Sequence, residues 1–195
     1  MKRMAKPPVI SACNGVQLTK AVEEHGLRPR DVFFKAYFDA RRKYGRYGAL
    51  PYAHFDDGED LEEQFMHLTE LHRAMPAKII RPIALVEGTD LVGYLSRRAA
   101  GQSLEDIWKQ VWSTDKKTAL RCAALFRRAA FDVINTLNEL NSHLLWHGDA
   151  DKRNIKVSSS GSIKLFDPRY NIAIEDSWIV RRLYDDIAEL VVPRR

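Results

Sequence analysis

His147, Asp149, Asn154 and Asp167 all fall within "WHGDADKRNIKVSSSGSIKLFDPR", residues 146 to 169. Carboxylate and amide oxygens, completed by phosphate and water, suit a hard six-coordinate cation such as magnesium better than any His or Cys set would. Asn154 enters the run IKV and Asp167 leaves the run IKLF, with a Ser/Gly turn between the runs. Paired as a hairpin, the two runs bring these oxygen ligands to one end. Asp149, on the loop before the hairpin, is placed to accept a proton or orient a hydroxyl. A base, two metal ligands and a nearby cation are the parts that phosphoryl transfer requires. The same residues also suit plainer duties: Asp149 can cap a turn, Asn154 can begin a strand, and Asp167 before Pro168 is a common turn opening.

The elements that must position these residues are readable upstream. A helical period runs through residues 118 to 144, with Ala130, Val133, Ile134, Leu137, Leu140 and Leu144 on one face. Before it, Ser103 and Asp106 form a weak capping box opening SLEDIWKQVW, where Trp108 and Trp112 suit a core. Residues 61 to 75 read as a helix, with Leu61, Phe65, Leu68, Leu71 or His72, and Met75 recurring and Pro76 closing it. KIIRPIALVE and DLVGYL read as paired strands separated at Gly88-Thr89. VFFKAYF, residues 32 to 38, is too short and too rich in β-formers for a helix. Alternation puts Phe33, Lys35 and Tyr37 on one face of that strand and Phe34, Ala36 and Phe38 on the other. Lys35 then either snorkels over its aromatic neighbours or serves a site. The first thirty residues predict a loose arm with a hairpin turning at Asn14-Gly15, and residues 39 to 60 a long excursion. A strand-rich first half thus meets a helix-rich second half, an α+β arrangement, at the polar stretch 96 to 103.

Composition bounds the rest. A chain of 195 residues with 45% hydrophobic side chains can bury a substantial core. No apolar run approaches the roughly 20 residues of a membrane span. MKRMAKPP lacks the apolar region of a secretory signal. A soluble, cytoplasmic protein without a membrane partner is therefore expected. Two cysteines without metal spacing fit a reducing compartment. The net charge of +5 suits an acidic partner and plain solubility equally, and no nucleic-acid-binding module accompanies it, so no nucleic-acid partner is expected.

H-G-D-A-D-K-R-N followed by F-D-P resembles the catalytic loop and metal-binding segment of the protein-kinase-like superfamily, whose patterns are H-R-D-x-x-x-x-N and D-F-G. V-F-F-K likewise resembles the family's V-A-I-K strand. The resemblance spans roughly residues 32 to 190 and implies ATP and Mg2+ as cofactors. It makes Asp149 the catalytic base, Asn154 and Asp167 the magnesium ligands, and His147 a structural support. Lys35 would hold the α- and β-phosphates and pair with a Glu, Glu62 first and Glu63 second. Lys152 or Arg153 would steady the transferring phosphate. The implied fold is two-lobed: a small β-rich N-lobe over 1–95, a hinge over 96–103 and a truncated helical C-lobe over 104–195.

Three departures narrow the expectation. Gly148 stands where the family has Arg, which removes switching by loop phosphorylation, and Pro168-Arg169 stands where it has Phe-Gly. HGD is frequent in the antibiotic, lipopolysaccharide and RIO-type branches. Neither G-x-G-x-x-G before Lys35 nor A-P-E after Asp167 is present, and "SACNGV" is the one candidate for a phosphate-covering turn. The final helix resembles one that anchors the catalytic loop, and its Asp185 and Asp186 are expected either to serve a helix terminus or to anchor that loop. In size and economy the chain is similar to the minimal kinases that some bacterial pathogens inject into host cells, one type of which modifies the 90-kDa heat-shock chaperone. The expectation is therefore a monomeric serine/threonine kinase with a protein substrate, a host chaperone included, delivered to the host cytosol if it is an effector. A small-molecule, sugar or lipopolysaccharide-type kinase and a non-catalytic pseudokinase binding module are the alternatives.

Overall fold

A computed structural model describes residues 7–37, 44–54, 61–88, 92–169 and 176–190. The chain is mixed α/β, with five α-helices and two sheets among the described residues. It divides into two compact units: Met1–Glu70 with Ile80–Arg98, and Leu71–Ile79 with Ala99–Arg195.

The first unit contains strand β1 (Val9–Ser11), helix α1 (Gly15–Glu24), strands β2 (Val32–Tyr37), β3 (Tyr44–Tyr47) and β4 (Leu50–His54), the first ten residues of helix α2 (Leu61–Ala74), and strands β5 (Pro82–Glu87) and β6 (Val92–Arg97). The strands form one sheet in the order β1-β5-β6-β2-β4-β3, in which β1 with β5 and β2 with β4 run parallel. Phe34 and Ala36 of β2 join Leu18 and Val22 of α1, with Leu95 and Val86, in a core cluster. Each fully buried Val, Leu or Phe side chain contributes on the order of 1.5–3 kcal/mol. Alternation turns Lys35 to the opposite face, where its partner in register is Tyr94 of β6. Phe65 of α2 packs edge-on against Tyr94 on that face, ring centroids 5.9 Å apart.

Two expectations for this unit need correction. Asn14-Gly15 does not turn a hairpin: the Asn14 side chain accepts hydrogen bonds from the N–H groups of Val16 and Gln17 and caps α1. Leu18 and Val22, four apart, then bury one helical stripe, which outweighs the turn preference of the dipeptide. Part of the expected excursion is ordered as the antiparallel pair β3–β4. Gly48 turns it at φ +61, where a Cβ would fall 2.2 Å from the Gly15 carbonyl oxygen. Phe38 and the expected turn residue Thr89 lie outside the described residues.

The second unit holds the last turn of α2, then strand β7 (Gln102–Ser103), helices α3 (Leu104–Val111) and α4 (Lys116–Ser142), strands β8 (Ile155–Val157) and β9 (Ile163–Leu165), and helix α5 (Asp176–Glu189). Ser103 caps α3 by accepting from Asp106 N–H at 3.0 Å, as the capping box predicts. Trp108 packs on Phe126 of α4 at 4.7 Å between ring centroids, while Trp112 is 40% exposed, so only the first behaves as core. β7, β8 and β9 form an antiparallel sheet. The segment after α2 attaches to it, with Leu165 N–H donating to Lys78 C=O at 2.8 Å and Lys78 Nζ paired to Asp132 of α4. Leu144 does not continue the buried face of α4. It lies beyond the helix at φ +58 and is 74% exposed.

No helix among the described residues is long and apolar enough to cross a membrane.

Candidate active site

In the second unit the chain leaves α4, turns at Leu144 and enters His147-Gly148-Asp149. His147, Gly148 and Ala150 are buried, whereas the Asp149 side chain retains partial exposure. Asp151 then caps a single 3-10 turn, Lys152–Asn154, by accepting from Arg153 N–H at 2.9 Å. That turn delivers Asn154 to the head of β8.

Two hydrogen bonds close the arrangement. Asn154 Nδ2 donates to the Asp149 carbonyl at 3.0 Å, and Phe166 N–H donates to the Asn154 carbonyl at 3.1 Å. The hairpin therefore does what its spacing predicts: Asn154 and the Asp167 segment meet at one end, beside the loop that carries Asp149. Because the Asn154 nitrogen is committed to the loop, its Oδ1 is the atom able to meet a cation. Asp167 adopts φ +58, a left-handed conformation that Asp tolerates better than most residues and that is enriched where a side chain must be aimed.

Beyond Pro168, the backbone N–H of Arg169 donates to the His147 carbonyl at 3.0 Å, and its guanidinium Nε lies 3.2 Å from Asp149 Oδ2. Burial pushes the Asp149 carboxyl above its usual range; Arg169 opposes that shift, while the nearby Asp167 and Asp151 carboxylates add to it. Gly148 is needed here. It sits at φ +74, and a Cβ on it would fall 2.2 Å from the Arg169 carbonyl oxygen. The glycine that departs from the H-R-D pattern is what lets the two segments touch.

Two acids on α5 brace the loop. The Asp176 carboxylate, buried at the helix start, accepts the N–H groups of His147 at 2.9 Å and Gly148 at 3.2 Å. Burial raises its pKa even so, outweighing both hydrogen bonds. Asp186 takes Lys152 Nζ at 2.7 Å, and the same ammonium lies 5.1 Å from the centroid of the Trp108 ring. Lys152, assigned to the transferring phosphate from the sequence, is in this structure a strut between the loop and α5.

Asp149, Asn154 and Asp167 are thus brought together in one unit. Lys35 belongs to the first unit, only 5% exposed in the middle of β2, which does not fit a snorkelling surface lysine. Glu62 and Glu63 stand in the first turn of α2, both exposed. Sequence reasoning missed Asp176 and the contact of Arg169 with Asp149. Asp176 is separated from its partners by 28 and 29 residues, so no local spacing marks it. The Pro-Arg departure after Asp167 was the visible signal for Arg169.

Among the described residues, no group of three or more His, Cys, Asp or Glu side chains is placed to hold a metal ion. One carboxylate and one amide, Asp167 and Asn154, fit a cation that keeps phosphate and water as its other ligands. Neither a protein-family model nor a curated protein sequence matches this chain.

Proposed function

We propose that this chain is an ATP- and Mg2+-dependent phosphotransferase with a two-lobed, protein-kinase-like fold, acting on Ser or Thr hydroxyls of a protein. The observation that carries the reading is the closure of the hairpin onto the loop, in which Asn154 binds the Asp149 carbonyl and Phe166 binds the Asn154 carbonyl. A base and two oxygen ligands at one strand end are what phosphoryl transfer needs, and a plain turn has no use for all three.

In this reading Asp149 accepts the proton of the attacking hydroxyl, and Asn154 and Asp167 hold Mg2+. The bound cation supplies neutralisation of phosphate charge. Asp176 and the Lys152–Asp186 pair keep the loop in register. Lys35, with Glu62 or Glu63 as its carboxylate, is proposed for the nucleotide phosphates on the resemblance of V-F-F-K to the family's V-A-I-K strand alone. Delivery into a host cell and a chaperone acceptor rest on the resemblance to minimal effector kinases.

The test is incubation of γ-labelled ATP and Mg2+ with cell lysate and either the wild-type protein or Asp149→Ala. Label on protein bands with the wild type alone is expected. Label confined to small metabolites would instead favour a sugar- or lipid-type acceptor. Equal labelling with both proteins would overturn phosphotransfer by this site.

A further inference from the structure

We propose that Arg169, the residue two beyond the metal-binding Asp167, is the cation that grips the transferable phosphoryl group. The proposal rests on the phosphotransferase reading and names a catalytic residue within that site.

Three placements carry it. First, the basic side chains of the loop itself are engaged with other acids. Lys152 is held by Asp186 at 2.7 Å with its side chain 12% exposed, and Arg153 Nε is held by Asp151 at 3.0 Å with its side chain 72% exposed. Second, the guanidinium of Arg169 already touches the carboxylate that would receive the acceptor's proton, with Nε 3.2 Å from Asp149 Oδ2. A cation at that spot lies beside the point of attack. Third, the backbone holds it there: Arg169 N–H is bound to the His147 carbonyl, and Gly148 passes so close to the Arg169 carbonyl that no side chain fits between them. The side chain therefore starts from a fixed point one hydrogen bond away from the catalytic loop.

Guanidinium chemistry suits the task. Its planar fork matches two phosphoryl oxygens at once, and its five N–H donors let it bridge a carboxylate and a phosphoryl group. During transfer the acceptor oxygen forms a new bond to the γ-phosphorus, and the bond from that phosphorus to the β–γ bridging oxygen breaks. ADP keeps the electron pair, and the hydroxyl proton passes to Asp149. Arg169 sits where negative charge on the moving phosphoryl oxygens would be met by a preorganised donor.

The role predicts discrimination between nucleotides, because only ATP has the group that Arg169 contacts. Calorimetric titration of the full chain with ATP and with ADP, both with excess Mg2+, reads it directly. Arg169→Gln should weaken ATP binding at least tenfold while ADP affinity stays within about twofold, and Arg169→Lys should recover part of the ATP loss. If Arg169→Gln does not fold, Arg169→Lys alone carries the test, since a point charge without the fork should still bind ATP measurably more weakly than wild type and ADP equally well. Equal effects on the two nucleotides, or none, would overturn the role of Arg169 while leaving the phosphotransferase reading intact. Failure of the wild type to bind either nucleotide would overturn both.

Discussion

Lys152 Nζ and Asp186 Oδ2 lie 2.7 Å apart with 12% and 14% of their side chains exposed, so the candidate catalytic loop is bolted to α5 by a largely desolvated ion pair. Removing one partner leaves the other charge buried and uncompensated. Asp186→Ala should therefore cost about 3 kcal/mol in urea unfolding. The double variant Lys152→Met, Asp186→Leu should regain most of that loss, whereas a double variant as unstable as the single would show that the pair is not the source.

Asp176 accepts two buried backbone N–H groups of the same loop, and no other residue type of similar size supplies two anionic acceptors there. Asp176→Ala should cost about 2–6 kcal/mol, since it strands two buried donors worth roughly 1–3 kcal/mol each. Because burial raises this carboxyl's pKa, the folded chain holds its proton to higher pH than the unfolded chain does. Its contribution to stability therefore falls as pH rises from the ordinary carboxylate range through the raised value. Urea titrations across mildly acidic pH should show that slope shrink in Asp176→Asn; an unchanged slope would remove Asp176 as its source.

Gly148→Ala places a methyl carbon 2.2 Å from the Arg169 carbonyl oxygen, in a backbone conformation of φ +74. Strain of this kind costs of order 1–3 kcal/mol, and relief requires the loop to move away from the Asp167 segment. On the proposed phosphotransferase reading, labelling by this variant should fall by more than the loss of folded protein explains. A variant with wild-type melting temperature and activity would show that the close approach is dispensable.

At the opposite end of α4, Asp115 accepts the hydroxyl of Thr118 and the N–H groups of Thr118 and Lys117, and these hold its carboxyl below the usual range. The sign here is the reverse of that for Asp176. The cap contributes fully above the ordinary carboxylate pKa and is lost as pH falls through the lowered folded value. Asp115→Asn keeps a capping oxygen without the charge, so thermal melts at neutral and acidic pH should differ less in this variant than in wild type. A larger difference would contradict the assignment.

Local patterns in the sequence were enough to place α2, α3, α4, the β5–β6 pair and the β8–β9 hairpin, because each is set by apolar period or turn chemistry within a few residues. They also placed Asp149, Asn154 and Asp167 together, since a short hairpin joins Asn154 to the Asp167 segment and Asp149 lies only five residues before Asn154. What local patterns could not supply were contacts between distant segments. Asp176 reaches the loop across 28 residues and Lys152 reaches Asp186 across 34. The Asn14 error has a different cause: Asn-Gly is a turn signal and Asn is also a favoured helix cap, and only the packing of Leu18 and Val22 decides between them.

The central claim is that Asn154 and Asp167 hold a nucleotide-bound divalent cation beside Asp149. It is tested most directly by adding ATP with substoichiometric Mn2+, as a paramagnetic substitute for Mg2+, to 15N-labelled protein and following the amide signals. Signals from the Asn154 side chain and the Phe166 backbone should broaden first in the wild type, only when ATP is present, and should persist in Asp167→Ala. Broadening centred elsewhere, or unchanged by Asp167→Ala, would contradict it.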